Sequence, residues 1–177
     1  DPELRAPELG DFRPANPALF RPPHFSVWCA DISNTGWYGF PANAQGIVKV
    51  ANHGPGQRMD PAAPRVVDPG AEAKFRGFLR ESLPALAEAP VVASRLCLYE
   101  ESLDGDFWID HDPERPGLVV AAGGSGHGFK FAPVLGPLIA DVVERRPNPY
   151  AARFAWRSPA ARRTEQARHS DGEQGEP

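Results

Sequence analysis

Apolar and aromatic residues near the start of the chain are grouped in short runs that are typical of strands. His24–Ile32 and Gly36–Phe40 carry Phe, Val, Trp and Tyr on either side of a Ser-Asn-Thr-Gly turn, so they predict a hairpin. Ile47–Ala51 predicts a third strand. The proline-rich stretch 1–23 predicts an extended, loop-like segment, and residues 54–67 predict a loop.

The next segment, Ala71–Leu83, has a helical period instead of a strand-like one. Its apolar residues fall at helical spacing, at Phe75, Phe78, Leu79 and Leu83. This spacing predicts one amphipathic helix that faces a sheet. Asp68 and Pro69 stand where a helix cap and first turn are expected, and Pro84 is expected to end the helix.

Further strands and a second helix are predicted in the remainder of the chain. Val91–Tyr99 and Phe107–Ile109 predict strands, and Leu118–Ala122 is an uninterrupted apolar strand that suits a sheet covered on both faces. Pro133 suits the start of a helix, whereas Pro137 falls inside the same helix and should bend it.

Length and composition exclude several classes of protein. The 177 residues suffice for one domain with a core or for parts of two, and a net charge of −4 gives no basic field for nucleic acid or an anionic membrane. The longest apolar run, Val134–Val143, is too short to cross a bilayer. The composition of residues 157–177 turns to Arg, Glu, Ser, Gly and Pro, which predicts a disordered tail.

Compartment and redox state are predicted from the start of the chain and from its cysteines. No basic-then-apolar signal segment begins the sequence, so a cytoplasmic location is expected. Cys29 and Cys97 could form one disulfide, but a reducing cytosol argues against that pairing.

A glycine-rich loop between the last predicted strand and the last predicted helix is the strongest candidate for chemistry. The segment Gly117–Lys130 combines a cluster of glycines with His127. A strand, a tight turn and a helix start together collect unpaired N–H groups and the positive end of a helix dipole, which favours an anion or a dinucleotide. The glycine spacing G-x-G-x-G departs from the dinucleotide fingerprint G-x-G-x-x-G, and His127 stands where a serine-hydrolase elbow requires glycine.

Several short blocks of sequence occur in an order and at a spacing that match one enzyme family. They are Tyr38–Pro41, Gly46–His53, Gly56–Pro61, Cys97–Tyr99, Phe107–Asp110 and Ser125–Lys130. Over residues 13–156 the chain thereby resembles the monomeric sarcosine oxidase and N-methyl-amino-acid oxidase family of FAD enzymes, within the D-amino-acid oxidase superfamily.

The resemblance implies an α+β or α/β fold that forms part of a two-domain flavoprotein oxidase. Residues 1–103 would be a portion of the substrate (catalytic) domain, with a mixed β-sheet. Residues 104–156 would supply the C-terminal portion of the FAD-binding domain, namely the last strand and helix of a Rossmann-like fold. Residues 157–177 would be the disordered tail.

The resemblance also implies an activity. The intact enzyme would be an FAD-dependent amine oxidase that oxidises a secondary or N-methylated amino acid to an imine and reduces O2 to hydrogen peroxide. The family begins with a Rossmann strand and a G-x-G-x-x-G turn, whereas this chain begins at Asp1 without either. A C-terminal fragment, inactive without the N-terminal half, is therefore expected; a processed product or a naturally truncated gene are alternatives.

Two other hypotheses for the function of the 177 residues remain open. The chain could be a catalytically inactive remnant that survives as an interaction domain, or one subunit of a split oxidase whose other half is a separate chain. Neither hypothesis requires nucleic acid or a membrane.

Residues that would contact the flavin follow from the resemblance. Cys97 corresponds to the family position that bonds the flavin ring through sulfur; the alternative is a small buried hydrophobe in a strand. The family's other flavin-contacting positions correspond to Gly126, His127, Gly128, Phe129 and Lys130. Lys130 would also bind a substrate carboxylate; the alternative is a rim lysine with its charge in water.

Residues for catalysis and substrate binding follow in the same way. Lys49 would lie near flavin N5 and promote the reaction with dioxygen, because a fixed cation stabilises a new anion in a dry site. The alternative is a solvated lysine on a strand. Tyr38, His53 and Tyr99 would complete the pocket, although aromatic residues in strands are most often core or sheet surface.

Two acidic features bear on substrate and metal. Glu100 follows Tyr99 and would disfavour a carboxylate substrate unless its side chain faces away. His111 is flanked by Asp110 and Asp112, but this set is not a closed group of metal ligands, so a surface turn without a metal is predicted.

Overall fold

The structure is a computed structural model, and it describes residues 3–6, 8–54, 56–102 and 104–157. Among these residues, Ala6–Cys97 form one compact unit, which we call the sheet unit. Residues 3–5 and 98–157 form a second one, which we call the hairpin unit. The predicted disordered tail 157–177 lies, apart from Arg157, outside the described residues.

Helices and strands are both well represented, as the predicted α+β or α/β class requires. The described strands are β1 (Glu3–Ala6), β2 (Glu8–Phe12), β3 (Trp28–Ala30), β4 (Trp37–Phe40), β5 (Val48–Asn52), β6 (Gln57–Arg58), β7 (Val91–Leu96), β8 (Tyr99–Glu101), β9 (Trp108–His111) and β10 (Val119–Ala122). The described α-helices are α1 (Ala71–Ser82), α2 (Pro84–Ala87), α3 (Ala132–Val143) and α4 (Ala151–Phe154), and 3-10 turns occur at Pro17–Phe20 and Gly128–Phe131. None of the helices in the described ranges is long and apolar enough to cross a membrane.

The sheet unit is built on one five-stranded sheet with the order β3-β4-β5-β2-β7. Each neighbouring pair in this sheet is antiparallel. The prediction of a mixed sheet is therefore wrong for this unit. The β3–β4 and β4–β5 connections are short hairpins, and a hairpin can only join antiparallel strands.

The proline-rich start of the chain is the largest departure from the predicted elements. Residues 1–23 were expected to form a loop-like segment, yet β2 lies between β5 and β7 in the sheet. β2 contains no proline, so every residue of the strand keeps an N–H group for the sheet. Leu9 and Phe12 are buried, so this short run supplies part of the core.

The predicted hairpin and third strand are confirmed, with shorter bounds. β3 and β4 pair on either side of the predicted turn, although β3 begins only at Trp28. β5 begins and ends one residue later than expected. The following loop is interrupted only by the short strand β6.

The predicted amphipathic helix is α1, and it covers one face of the five-stranded sheet. Phe75 and Leu79 of α1 are buried in one cluster with Phe12, Val48 and Val50 of the strands. The ring of Phe75 lies 6.1 Å from that of Phe12, measured between centroids. The helix therefore packs on the sheet as the apolar spacing predicts.

The ends of α1 differ slightly from the prediction. The N-cap residue is Gly70, and Asp68 instead closes the turn before it, because its carboxylate accepts the Gly70 N–H at 2.6 Å. The helix ends at Ser82, as expected from Pro84, which becomes the first residue of α2. Proline suits that position, where its missing N–H has no helical partner.

Replacing Gly77 of α1 by alanine is expected to stabilise the protein. A methyl group at this position would meet nothing within 4 Å, and alanine loses less backbone entropy in a helix. We expect the free energy of unfolding to rise by about 0.5–1 kcal/mol in urea denaturation. Gly39→Ala is the contrasting control, because its methyl carbon would lie 2.5 Å from the Trp28 ring. A lower stability for Gly77→Ala would contradict this account of α1.

The hairpin unit contains two strand pairs and the last two helices. β1 pairs with β8, and β9 pairs with β10, both in antiparallel register. The strand predicted over Val91–Tyr99 is broken at Cys97 and Leu98, so β7 and β8 belong to different sheets. The predicted last helix is confirmed as α3, with Pro133 in its first turn and Pro137 inside.

The prediction that Leu118–Ala122 is covered on both faces is wrong for the described residues. There β10 pairs only with β9, and its two valines are half-buried. The helix that follows, α3, has apolar residues on most of its surface and none of them is buried. Both segments therefore have more apolar surface than the hairpin unit buries.

His111 does not lie in the predicted surface turn. It is the last residue of β9, it is half-buried, and its Nε2 lies 2.9 Å from the carbonyl oxygen of Val142 in α3. The strand continues to His111 because Asp112 and Leu118 close the hairpin one step later, with the Asp112 N–H donating to the Leu118 carbonyl at 3.0 Å. In the described ranges, no group of three or more His, Cys, Asp or Glu residues could hold a metal ion.

Candidate functional site

The side chain of Lys49 lies on the sheet face opposite the core. Val48 and Val50 are fully buried in the core beneath α1, and the alternation of a strand places Lys49 between them on the other face. Its Nζ atom lies 5.1 Å from the ring centroid of Phe40 and 5.7 Å from that of Tyr38. A cation at these distances is attracted to the faces of both rings.

Tyr38 and His53 lie beside Lys49 on this face. The rings of Tyr38 and His53 are in edge contact, with centroids 6.3 Å apart. All three side chains are half-buried, which leaves part of each accessible. The three predicted catalytic residues are thus brought together. We call Tyr38, Lys49, His53 and Phe40 the lysine cluster.

Phe40 is the member of the lysine cluster that the sequence analysis missed. It pairs with Lys49 across β4 and β5, so the two side chains share a face. A signal was present in the sequence, because Tyr38 and Phe40 are two residues apart in a predicted strand and must point the same way.

Cys97 is the last residue of the sheet unit and follows the end of β7. It is half-buried and its thiol is free, as is that of the exposed Cys29. Cys97 is not a small buried hydrophobe in a strand, because it lies after the end of β7 and is only half-buried.

The glycine-rich loop of the hairpin unit requires glycine at one position for a clear reason. Gly126 has a backbone φ of +69°, and a Cβ atom there would lie 2.5 Å from ring carbons of Tyr99. The buried Tyr99 ring therefore packs directly on the loop backbone. Both residues were predicted as site residues, but their contact was not.

Ser125 fixes the same loop to β8 and was missed as a functional residue. It is fully buried with a φ of +43°. Its amide donates to the carbonyl of Glu100 at 2.9 Å, and its hydroxyl accepts the N–H of Ser102 at 3.2 Å. A serine between glycines carries no local signal for such burial.

His127 is held inside the hairpin unit and does not extend into solvent. Its Nε2 atom lies 3.2 Å from the carbonyl oxygen of Gly105. Its ring contacts the rings of Phe107 and Phe131, with centroids 5.9 and 6.2 Å away. The backbone on either side of His127 is thereby fixed.

The outer side of the loop is open. Phe129 is 95% exposed, and Lys130 is exposed with its Nζ 5.2 Å from the ring centroid of Phe131. A Cβ atom at Gly124 would meet nothing within 4 Å, and one at Gly128 would meet the Phe107 ring at 3.4 Å. The residues around the loop therefore leave space in front of its backbone.

Glu100 faces away from Tyr99. In β8 the side chains of Tyr99 and Glu101 are buried and that of Glu100 between them is exposed. Alternating side chains point to opposite faces of a strand. The acidic side chain is therefore on the face opposite the predicted substrate-binding tyrosine.

An ion pair holds the segment that carries Phe107. The guanidinium of Arg157 donates to both carboxylate oxygens of Asp104, and one of its nitrogens also donates to the Phe107 carbonyl at 3.1 Å. The hydrogen bond from Arg157 lowers the pKa of Asp104 below its ordinary value of 3.8. Since Phe107 contacts His127, this pair supports the loop from behind.

Replacing Asp104 by asparagine tests that ion pair through pH. The pKa of Asp104 is lower in the folded protein, so its contribution to stability is complete above the ordinary pKa of 3.8 and is lost as the pH falls through the folded pKa. We expect Asp104→Asn to lower the free energy of unfolding by about 1–2 kcal/mol at pH 7. The difference between the two proteins should shrink in denaturation below pH 4; a constant difference would contradict this role.

The predicted site residues therefore divide between the two units. The sheet unit holds the lysine cluster and Cys97, whereas the hairpin unit holds Tyr99, Gly126, His127, Gly128, Phe129 and Lys130. In the sheet unit the structure brings Tyr38, Lys49 and His53 together, and in the hairpin unit Tyr99 packs on the loop that contains the other predicted residues.

Comparison with known proteins identifies the family. The model of the DAO family, described as FAD dependent oxidoreductase, matches residues 11–142. The chain belongs to this family. The recognition made from the sequence blocks is confirmed, and the family implies FAD as the cofactor.

Relatives within the FAD-dependent oxidoreductase family include amine oxidases. The chain is 33% identical over 123 residues to monomeric sarcosine oxidase of Bacillus sp. (strain NS-129), covering 68% of this chain and 32% of the relative. It is 42% identical over 112 residues to N-methyl-L-tryptophan oxidase of Salmonella heidelberg (strain SL476), covering 60% of this chain and 29% of the relative. The chain thus spans about a third of the length of these curated relatives.

Solved structures show the same fold. Fructosyl amine:oxygen oxidoreductase (Amadoriase I) of Aspergillus fumigatus matches with a TM-score of 0.73 and 26% identity, over 94% of this chain and 40% of that one. The fructosamine oxidase Amadoriase II of the same organism matches with a TM-score of 0.76 and 25% identity, over 94% and 43%. The antiparallel sheets and helices of this chain are therefore similar to those of these oxidases.

Proposed function

We propose that this chain is the C-terminal part of an FAD-dependent amine oxidase that acts on a secondary or N-methylated amino acid. The observation that carries the proposal is the lysine cluster, in which the Lys49 amine lies over two aromatic rings beside His53. Family membership and the names of the relatives support the same reaction type.

The residues of the hairpin unit fit a flavin. A Cβ atom at Gly124 would meet nothing within 4 Å, which leaves room beside the loop, and the His127 side chain is held by the Gly105 carbonyl. Gly126, His127, Gly128, Phe129 and Lys130 would hold the flavin ring, and the thiol of Cys97 would form a covalent link to it. When bound, FAD would supply the two-electron oxidation of the amine to an imine, with dioxygen as the final acceptor and hydrogen peroxide as its product.

Lys49 would supply a fixed positive charge where dioxygen gains electrons. Its neighbours Phe40 and Tyr38 cover part of the side chain and hold the amine by cation–π contacts. An electrostatic contact is stronger where water is excluded, and a preorganised charge needs no reorganisation during the reaction.

Tyr38, His53 and Tyr99 would position the substrate. The rings of Tyr38 and His53 are held edge to face, and the phenol and the imidazole would both lie beside the bound amine. Tyr99 and Lys130 would contribute from the hairpin unit, with Lys130 as the partner of a substrate carboxylate. The orientation of Glu100 away from Tyr99 is compatible with that carboxylate.

The remaining part of the FAD-binding fold would cover α3 and β10. We assign residues 1–103 to the substrate domain and 104–156 to the FAD domain. The compact units divide after Cys97, and residues 3–5 belong to the hairpin unit. The hairpin unit has an apolar groove of about 660 Å³ against α3 and α4, and Val134 of α3 is 54% exposed. Surfaces of this kind are interaction sites.

An interaction domain without activity is the second candidate. The exposed apolar surface of α3 favours it, because such a surface binds another polypeptide whether or not a flavin is held. When the remaining part of the FAD-binding fold covers that surface, amine oxidation is expected of the oxidase and not of the interaction domain.

Combining the chain with the part of a relative that its match leaves uncovered tests the proposed function. We expect the chain, co-expressed with that part of N-methyl-L-tryptophan oxidase, to retain FAD and to release hydrogen peroxide with N-methylated amino acids. An assembly that forms and retains FAD but oxidises none of the N-methylated amino acids tested would favour the interaction domain. Failure to retain FAD in a stable assembly would contradict the proposal.

The covalent link has a separate test. We expect the flavin to remain on the acid-denatured assembly and to be lost from it in the Cys97→Ser variant, measured as yellow colour and as the mass of the peptide containing Cys97. A wild-type assembly that releases all its flavin on denaturation would remove the link while leaving FAD binding intact.

A further inference from the structure

Asn52 is a buried polar residue behind the lysine cluster. It is the last residue of β5, it is 5% exposed, and it pairs with Trp37 across β4 and β5. Paired residues share a face, so the carboxamide lies on the α1 side of the sheet with the buried Trp37 ring. It is therefore on the face opposite Lys49 and cannot itself touch a substrate held there.

The carboxamide of Asn52 joins the two chain segments that carry Tyr38 and His53. Its Nδ2 donates to the Thr35 carbonyl at 2.5 Å, three residues before Tyr38. Its Oδ1 accepts the Gly54 N–H at 3.1 Å, immediately after His53. One side chain thus ties the segment before β4 to the segment that follows β5.

A third contact connects Asn52 to α1. The Nζ atom of Lys74 donates to Oδ1 of Asn52 at 3.1 Å and lies 5.9 Å from the ring centroid of Trp37. The two chain segments that Asn52 joins are also bonded directly to each other, because the backbone N–H of His53 donates to the Gly36 carbonyl at 2.6 Å. The ends of β4 and β5 are therefore fixed to each other and to the helix that covers them.

We propose that Asn52 is a positioning residue that sets the relative orientation of Tyr38 and His53. This inference rests on the proposed function for its consequence in catalysis, but its structural part stands on the three hydrogen bonds alone. The role needs a donor and an acceptor on one short side chain, and asparagine provides both. An ionised aspartate lacks the donor, and leucine lacks both.

Loss of the carboxamide should affect one half of the reaction more than the other. Tyr38 and His53 would hold the amine, so their misplacement slows its oxidation. Lys49 lies three residues earlier in β5 and is held by Phe40, so the reaction with dioxygen should change little. A general loss of stability would not separate the two half-reactions in this way.

Nuclear magnetic resonance on the full 177-residue chain tests the structural part. In Asn52→Leu we expect loss of the cross-peaks between the Tyr38 and His53 rings, and about tenfold faster exchange of the Gly54 amide. Cross-peaks between the rings of Trp37 and Phe75, which are 5.2 Å apart in the core, should remain. Asn52→Asp should keep slow Gly54 exchange while losing the ring cross-peaks, because only the donor to Thr35 is gone.

Retention of the Tyr38–His53 cross-peaks in a folded Asn52→Leu protein would overturn the proposal. If that variant fails to fold, retention of them in Asn52→Asp would overturn it equally. In the assembled enzyme we expect Asn52→Asp to slow amine oxidation at least about tenfold with the rate of reoxidation unchanged. Altered cross-peaks in an assembly that oxidises no amine would leave the positioning role intact and refute the proposed function instead.

Discussion

Phe75→Ala is expected to lower the free energy of unfolding of the sheet unit by about 3–5 kcal/mol. Phe75 is 3% exposed, and its ring contacts those of Phe12 and Trp37 at centroid distances of 6.1 and 5.2 Å. Truncation removes these contacts and leaves a cavity between α1 and the sheet. The expected loss is a large fraction of the stability of an ordinary domain, about 5–15 kcal/mol.

Urea denaturation of the two proteins measures this loss, and the chain offers a matched control. Phe129 is 95% exposed, so Phe129→Ala removes the same atoms without leaving a cavity and should change stability by less than about 0.5 kcal/mol. A loss below about 1 kcal/mol for Phe75→Ala would mean that α1 does not pack on the sheet as described.

Lys49→Met is expected to slow the reaction of the assembled, reduced enzyme with dioxygen by roughly two orders of magnitude. The substitution keeps an unbranched apolar side chain against Phe40 and Tyr38 but removes the charge. Stabilisation of the anion formed from dioxygen is lost with it. Amine oxidation needs no such anion and should proceed at a similar rate.

Stopped-flow measurement of the two half-reactions separates these effects. Arg80→Met is the control, because Arg80 is a cation of the same unit whose side chain is 61% exposed on α1, on the covered side of the sheet. We expect that variant to be reoxidised at the wild-type rate. Equal reoxidation rates for Lys49→Met and wild type would refute the role of Lys49.

Lys49, Tyr38 and His53 were predicted as site residues from the family resemblance, and local rules explain why the structure brings them together. Alternation within β5 separates Lys49 from the core, and a short hairpin fixes the register that brings Tyr38 alongside. The helix α1 follows from apolar spacing for the same reason. Hairpins and amphipathic helices depend on residues close in the chain.

The elements that were missed depend on residues distant in the chain. The short strand β2 is stable only because β5 and β7 flank it, and the prolines around it suggest a loop when seen alone. The contact of Gly126 with Tyr99 and the burial of Ser125 likewise join segments more than twenty residues apart. Single-sequence patterns contain no signal for such pairs.

Anaerobic titration of the assembled protein with an N-methylated amino acid tests whether this chain supplies the lysine cluster and the flavin-binding glycine-rich loop of one oxidase. We expect the visible absorbance of bound flavin to be lost when the amine is added and to return when air is admitted. Flavin that stays bound and oxidised with every secondary amine tested would contradict it.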